Sequence, residues 1–499
     1  MWVELQFLRA EFDSPERQLL GLSDMETVSI SGRNYLLAAG AADAGLSSYE
    51  ILNDGSLVAS DDVLWSTSSG TEAVSDLSVF TIGASTYLLP TGKADDNQTI
   101  YEIGADGGFA VANTYVDAAS TYAKWEIATV VEAGGNSYLY GSIWGQGGFF
   151  RFDLQAGGAL SNPFLQNDTI GMYLGDVSAI ESGVLHGKTF VFVASALDAG
   201  FHSFEIGVGG ALNLLDTVAA PDIGFSGITA MAAVDVGARA FVIVASAGTD
   251  SLLVMRVSEW GTMKLVDRLV DTNDTRFAGV SALEVFEADG RYFLLAGGAD
   301  DGITLFEVTY KGQLDILATV ADTADMTLQN VTDIEATVIG STVNIFVSSA
   351  TDQGFTQFSM NIPNGSNIIR GGAVVDILTG TAQSDTIFGH GRNDELRGMG
   401  GDDRLIDGRG NDKLWGGAGA DVFEFVADGR KDYIMDYEIG VDKIDLRDAA
   451  MLYYYQDITF TPTADGAMLA YGDDQLVLTT MDATSLTIDM FTQDDFIFG

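Results

Sequence analysis

Six aspartates stand nine residues apart without a slip: Asp376, Asp385, Asp394, Asp403, Asp412 and Asp421. Each is followed two residues later by an apolar side chain (Leu378, Ile387, Leu396, Leu405, Leu414, Phe423), and glycines crowd the turn before it, most fully in GGAGAD at Gly416–Asp421 and DGRGND at Asp407–Asp412. This pattern suits a hard cation that prefers oxygen ligands. Glycine permits positive φ and lets backbone carbonyls turn toward a common point, while the aspartate adds charge. Other metal chemistries are poorly served. The chain has no cysteine and three histidines, His186, His202 and His390, which excludes thiolate sites and leaves little for imidazole-rich ones.

Six residues of turn followed by a short strand make half a coil of a parallel β-roll. Turns on one side then belong to alternate repeats, with Asp376, Asp394 and Asp412 on one side and Asp385, Asp403 and Asp421 on the other, and the apolar residues form a thin interior. The nonapeptide G-G-x-G-x-D-x-U-x resembles the RTX (hemolysin-type calcium-binding repeat) family over Gly371 to Phe423, about a tenth of the chain. The resemblance implies calcium between stacked turns, with its usual 6–8 oxygens. The residues implied as metal-binding are Asp385, Gly389, Gly391, Asp394, Gly398, Gly400, Gly401, Asp403, Gly408, Gly410, Asp412, Gly416, Gly417, Gly419 and Asp421. The turns GGAVVD, GTAQSD and GHGRND are degenerate, the last with His390 and Arg392 at glycine positions. The best-formed sites are therefore expected at Asp394, Asp403, Asp412 and Asp421.

FEFVADGRKDYIMDYEIGVDKIDLRD, from Phe423, is similar to the segment that follows RTX repeats in secreted serralysin-type proteases, and is expected to cap the roll. The terminal DDFIFG resembles the uncleaved signal of type I secretion substrates. The resemblance implies export in one step through a type I secretion apparatus, followed by folding on external calcium. Met1 to Phe12 has no apolar h-region, so classical signal-peptide export is not expected, and no stretch approaches a membrane span. The protease does not come with the resemblance: H-E-x-x-H is absent, as are a P-loop and G-x-S-x-G.

The elements before the roll carry a longer period. A strand of type [YF]-x-[LVF]-x-[AGS] begins at Tyr35, Tyr87, Tyr138, Phe190, Phe241, Tyr292 and, in variant form, Asn344, with spacings by subtraction of 52, 51, 52, 51, 51 and 52. Each unit adds a strand about 14 residues on, an earlier strand (from Ser23, Ser75 and Thr332 among others) and a later one after a glycine turn. Four short strands per repeat of about 50 residues resembles a seven-bladed β-propeller. The seventh unit lacks a fourth strand, and Trp2 to Phe12 supplies one. The expected fold is all-β: a propeller over 1–362 closed by its N-terminal strand, an RTX β-roll over 363–426, and a capping and secretion segment over 427–499. A hairpin aspartate recurs at Asp43, Asp95, Asp198, Asp250, Asp300 and Asp352, where a structural role in the turn is expected.

Aligning the first strand of each unit places Asp24, Asp76, Glu126 (with a one-residue slip) and Asp333 in one column, with Ala179, Ala230 and Ala282 in the others. These acids come from neighbouring units of the ring. Facing a central channel, they could hold a divalent cation, as the calcium of propeller lactonases is held, and that cation could polarise a carbonyl or activate water. The alternative is a set of structural carboxylates. Trp144, in WGQGGFF where the hairpin aspartate is missing, could form a glycan-stacking or protein-contact site.

The chain has 71 Asp and Glu against 24 Lys and Arg in 499 residues, a net charge of -47. This repels phosphate backbones and anionic lipid, so nucleic acid is not an expected partner. The roll carries only its proportional share of this acidity, so calcium does not explain it, and solubility in salty surroundings serves as well. The expected function is that of a secreted, extracellular calcium-binding protein whose propeller engages a cell-surface, matrix or glycan ligand. A calcium-dependent lactonase or phosphodiesterase using Asp24, Asp76, Glu126 and Asp333 is the alternative, and a structural assembly role is a third.

Overall fold

The computed structural model describes the chain except for residues 1–4, 15–18, 43–44, 65–73, 94–96, 117–120, 169–172, 199, 237–238, 273–274, 289–290, 310, 362–367, 373, 447–448, 450–451 and 499. Trp2, Asp43, Asp95, the Pro363-Asn364-Gly365 stretch and Gly499 therefore lie outside the described residues. The chain folds as two compact units, Val3–Asn361 and Ile362–Gly499.

The first unit is a seven-bladed propeller of four-stranded antiparallel sheets. The first strands of the blades are Leu22–Ile30, Val74–Ile82, Trp125–Ala133, Val177–Leu185, Ile228–Val236, Ala282–Ala288 and Val331–Ile339. Each lies against the first strand of the next blade, and the last against the first, so these strands surround the axis. The second strands, among them Arg33–Gly40 and Thr342–Ser349, are buried along nearly their whole length, because both sheet faces pack on neighbouring blades. The fourth strands alternate between exposed and half-buried positions, as in Phe109–Val116, and form the rim. In the seventh blade the fourth position is filled by Leu5–Phe12, antiparallel to Gly354–Asn361 with Leu5 opposite Met360 and Phe12 opposite Gly354. This pairing closes the ring and covers the edge of that blade.

Hydroxyls stitch adjacent blades together. Ser75, Ser178, Thr229, Ser281 and Thr332 each donate to a carbonyl at the start of the next blade's inner strand, at 2.5–3.1 Å. The hairpin aspartates serve the same framework. Asp198 accepts the Gly175 N–H (2.6 Å), Asp250 that of Gly279 (2.7 Å) and Asp352 that of Gln329 (2.9 Å).

The second unit is a parallel β-roll. One sheet stacks Ile368–Arg370, Thr386–Phe388, Arg404–Ile406, Val422–Glu424 and Lys443–Asp445, and ends on Phe496–Ile497. The other stacks Ile377–Thr379, Glu395–Gly400, Lys413–Ala418, Lys431–Ile434 and Asp474–Thr479, then turns antiparallel through Gly466–Tyr471 and Thr459–Pro462. Alternate repeats share a sheet, and register advances by 18 residues per coil, as Ile387 opposite Leu405 and Leu396 opposite Leu414 show. Ile387, Leu396, Leu405, Leu414 and Phe423 are fully buried in one core that continues through Phe425, Ile434, Tyr437 and Ile444 to Phe496. The segment after the repeats thus prolongs the roll by a further coil, and Phe496–Ile497, within the stretch that carries the secretion resemblance, forms its last strand.

Candidate metal centre and axial carboxylates

In the roll, Asp394, Asp403, Asp412 and Asp421 of the nine-residue ladder each sit at the end of a turn, with one carboxylate oxygen bonded to the backbone of the coil before. Asp394 Oδ1 accepts the Asp376 N–H (2.8 Å), Asp412 Oδ1 that of Asp394 (2.6 Å), Asp403 Oδ1 that of Asp385 (2.7 Å) and Asp421 Oδ1 that of Asp403 (2.8 Å). The second oxygens of Asp394, Asp403 and Asp412 are buried and have no partner. A buried carboxylate oxygen left unbonded costs about 1–3 kcal/mol or more, unless a cation is its partner. The donor set fits calcium: ionised oxygens, neighbouring backbone carbonyls and no nitrogen or sulfur.

Glycine in the turns has a local cause. The second and fourth turn positions adopt positive φ in every well-formed repeat: Gly408 (84°) and Gly410 (156°), Gly417 (100°) and Gly419 (144°). Thr381 and Gln383, at the same positions of the GTAQSD turn, do not share it, but in the GHGRND and GMGGDD turns the backbone keeps that shape without glycine, with His390 at 70°, Arg392 at 97° and Met399 at 83°. The register therefore imposes the turn, and these side chains bear the strain. Asp385, by contrast, spends its second oxygen on the Thr381 hydroxyl (3.0 Å) and N–H, so its turn is partly satisfied by protein alone.

The ladder runs beyond the repeats. Asp432 Oδ1 accepts the Asp412 N–H (2.9 Å), Asp442 Oδ1 that of Asp421 (3.1 Å), and Asp436 takes the N–H groups of Gly416 and Gly417 (both 3.0 Å). Burial pushes Asp403, Asp412, Asp432 and Asp442 up to about 7, with neighbouring aspartates adding to the shift. Asp407, Asp412 and Asp432 each offer an oxygen within 4.8 Å of the others, the one such acidic group among the described residues. Asp432, Asp436 and Asp442 are not evident from the nine-residue period, because the spacing lengthens after Asp421, and Asp407 is not, because it stands at a turn position that the pattern gives to glycine. The DGRKD motif at 428–432, which imitates DGRGND, was the available signal.

In the propeller, Asp24, Asp76 and Asp333 occupy equivalent positions, and each accepts an N–H from the next blade. Leu77 donates to Asp24, Ala128 to Asp76 (2.9 Å) and Met25 to Asp333 (2.9 Å). Two residues beyond that column, on the inner strands of the first, fourth, sixth and seventh blades, stand Glu26, Glu181, Glu284 and Glu335, which the column of aspartates does not reveal. Glu335 accepts from Thr27 (3.0 Å), Glu181 from Ala233 (3.3 Å) and Glu284 from Ala336. Glu26 in the first blade is repelled by Glu181 in the fourth, so the two rows converge on the axis from opposite sides. Burial, followed for several by mutual repulsion, pushes Asp76 and Asp333 to about 7 and Glu181 to about 8, and holds Asp24, Glu26, Glu284 and Glu335 well above the carboxylate range. All keep partial access to solvent along the axis.

Glu126 does not join them. Register aligns Ile127 with Asp24, since Ala128 pairs with Gly141 as Met25 pairs with Ala38. The Glu126 carboxylate instead pairs with Lys93 at 2.6 Å. His186 Nε2 lies 2.9 Å from the Val257 carbonyl, and His202 is buried with Nδ1 2.9 Å from Thr217 Oγ1. Trp144 is half-exposed, with the Lys124 ammonium 6.0 Å from its ring centre.

A family model for the RTX calcium-binding nonapeptide repeat matches residues 364–396 and 388–423, in four copies. A search of curated proteins finds no relative of significant similarity. Among solved structures, a candidate 6-phosphogluconolactonase of Bacteroides fragilis aligns with a TM-score of 0.47 at 13% identity, over 66% of this chain and 95% of that one. A periplasmic gluconolactonase of Pseudomonas aeruginosa aligns with a TM-score of 0.45 at 18% identity, over 58% and 84%. The nine-residue ladder, its unpartnered carboxylate oxygens and the family match agree: the roll of this chain is built from RTX calcium-binding nonapeptide repeats.

Proposed function

We propose that this is an exported protein that works outside the cell, where calcium completes the roll, and that its propeller is a binding module for a surface, matrix or glycan ligand. The observation that carries the reading is the row of buried, unpartnered oxygens on Asp394, Asp403 and Asp412. Such a roll is favoured only where calcium is abundant, because an ion that binds the folded state alone stabilises it in proportion to its concentration over Kd. A calcium-poor cytosol keeps the roll open for a type I secretion apparatus, and the medium closes it. The functional parts follow the sequence division: propeller over 1–362, roll over 363–426, cap and export segment over 427–499.

Two features support a binding role for the propeller. The six inner carboxylates with identified donors are engaged in hydrogen bonds between blades, which suits a rigid scaffold. Aromatic rings are displayed at its surface, with Trp144 and Trp260 51% and 69% exposed, each beneath a lysine. An aromatic platform beside a cation suits sugar rings or a protein partner.

The test is retention of the calcium-loaded chain on immobilised glycans and matrix proteins, alongside a screen for lactone and phosphodiester hydrolysis. Calcium-dependent retention without turnover supports the proposal, and weaker retention by Trp144→Ala would locate the surface. The hydrolase reading is favoured by one observation, the convergence of seven carboxylates on the axis. Turnover by the wild type that vanishes in the Asp24→Ala, Asp333→Ala double variant would put it in place of the binding module.

A further inference from the structure

At the fifth RTX turn, the last on its side of the roll, there is more acid than the repeats require. The first position of the other five turns is glycine (Gly371, Gly380, Gly389, Gly398, Gly416), but here it is Asp407. Asp407 is 1% exposed. Its Oδ1 accepts the N–H groups of Gly408 and of Val426 (2.9 Å), the latter at the start of the capping segment, while its Oδ2 is buried without a partner. Asp412, fully buried, has its own unpartnered Oδ2, and Asp432 of the capping segment is 4% exposed. Asp428, whose Oδ2 accepts the Gly410 N–H at 3.0 Å, leaves Oδ1 buried and unbonded beside them.

A repeat-type site between two stacked turns draws one ladder aspartate from each. This place draws a third carboxylate from Asp407, and the three side chains bring oxygens within 4.8 Å of one another. Three carboxylates enclosed together repel strongly without a counter-charge. Calcium sites gain affinity with the number of charged ligands and the rigidity of the cage. We infer that Asp407, Asp412 and Asp432 form a calcium site tighter than the other repeat sites, which ties the fifth RTX turn to the capping segment and stays filled when the other sites have emptied. The inference rests on the reading of the roll as a calcium-binding module and adds to it two ligands, Asp407 and Asp432, that the nonapeptide pattern does not supply.

The test is a calcium titration of the full chain in competition with a fluorescent chelator of known affinity. The wild type should show one ion bound at least ten-fold more tightly than the rest. Asp407→Asn keeps the Oδ1 acceptor for Gly408 and Val426 but removes the charge, and should lose that tight class while retaining the weaker ones. Asp407→Gly, which restores the residue of the other five turns, should do the same if the amide variant folds poorly. A wild type with a single class of sites, or a tight ion that survives both substitutions, overturns the inference while the calcium-binding roll stands. Failure of both variants to fold at saturating calcium also overturns it, because Asp407 would then be a backbone staple. A wild type that binds no calcium would instead sink the reading of the roll itself.

Discussion

Removing calcium should melt the roll and spare the propeller. Three ladder aspartates, Asp394, Asp403 and Asp412, hold a buried oxygen without a protein partner. If each marks one site filled at a hundred times its Kd, linkage supplies about 2.7 kcal/mol per site, or about 8 kcal/mol for three. That rivals the whole stability of an ordinary domain, about 5–15 kcal/mol. At about 3 °C per kcal/mol for a unit of this size, chelation should lower the roll transition by about 25 °C or abolish it. Calorimetry and circular dichroism of the full chain, in calcium and after a calcium-selective chelator with magnesium held constant, would read this directly. The propeller transition serves as an internal control. A roll transition that moves by less than about 5 °C would refute the argument, because the unpartnered oxygens would then need no cation.

Other outcomes follow from single positions. Met399 holds φ at 83° and is 57% exposed, so Met399→Gly should raise the roll transition, by about 1 kcal/mol of relieved backbone strain, in the same calcium-loaded melt. At Gly410 a Cβ would collide with the Arg392 carbonyl, so Gly410→Ala should cost about 3 kcal/mol or more and show as weakened calcium-dependent folding. Asp76, Asp333 and Glu181 are raised to about 7, 7 and 8 in the folded propeller, so the folded state binds more protons than the unfolded one between those values and the ordinary carboxylate range. Propeller stability should be greatest near the acid end of that window and fall as pH rises from about 4 to about 8, by about 1–2 kcal/mol per group after allowing for solvent along the axis. Denaturant melts across that range that show stability rising with pH would count against it. Asp333→Asn keeps an acceptor for the Met25 N–H without the charge and should be neutral or stabilising at pH 8, whereas Asp333→Ala should lose about 1–2 kcal/mol in the same melts.

The architecture was legible because two periods survive in the residues themselves. The nine-residue step is kept from Asp376 to Asp421, where Asp394, Asp403, Asp412 and Asp421 meet the backbone of the coil before them, and the 51–52-residue step by the aromatic start of six of the seven second strands. Where spacing relaxed, the chemistry persisted but the pattern did not: Asp432 and Asp442 bond the preceding coil across 20 and 21 residues instead of 18. The axial aspartates were visible as a column, yet Glu26, Glu181, Glu284 and Glu335 were not, although a strand's two-residue alternation puts them on the same side. Glu126 illustrates the limit of a column read by eye. Six of the inner strands change register near their start, as between Leu22 and Asp24 or Trp125 and Ala128, so one residue of offset decides between the axis and a pairing with Lys93.

The closing strand has a consequence for how this chain fails. Leu5 and Met360 are paired although 355 residues separate them by subtraction. Joining ends so far apart is thermodynamically mild, since closure entropy grows only with the logarithm of length, but contacts at such separation form late. Until then, Gly354–Asn361 presents a row of unpaired N–H and C=O groups that accepts any strand of matching register. A second copy's first dozen residues fit it as well as its own. Crowded refolding should therefore yield strand-swapped dimers and chains of rings rather than unfolded protein, and dilution during refolding should restore the monomer.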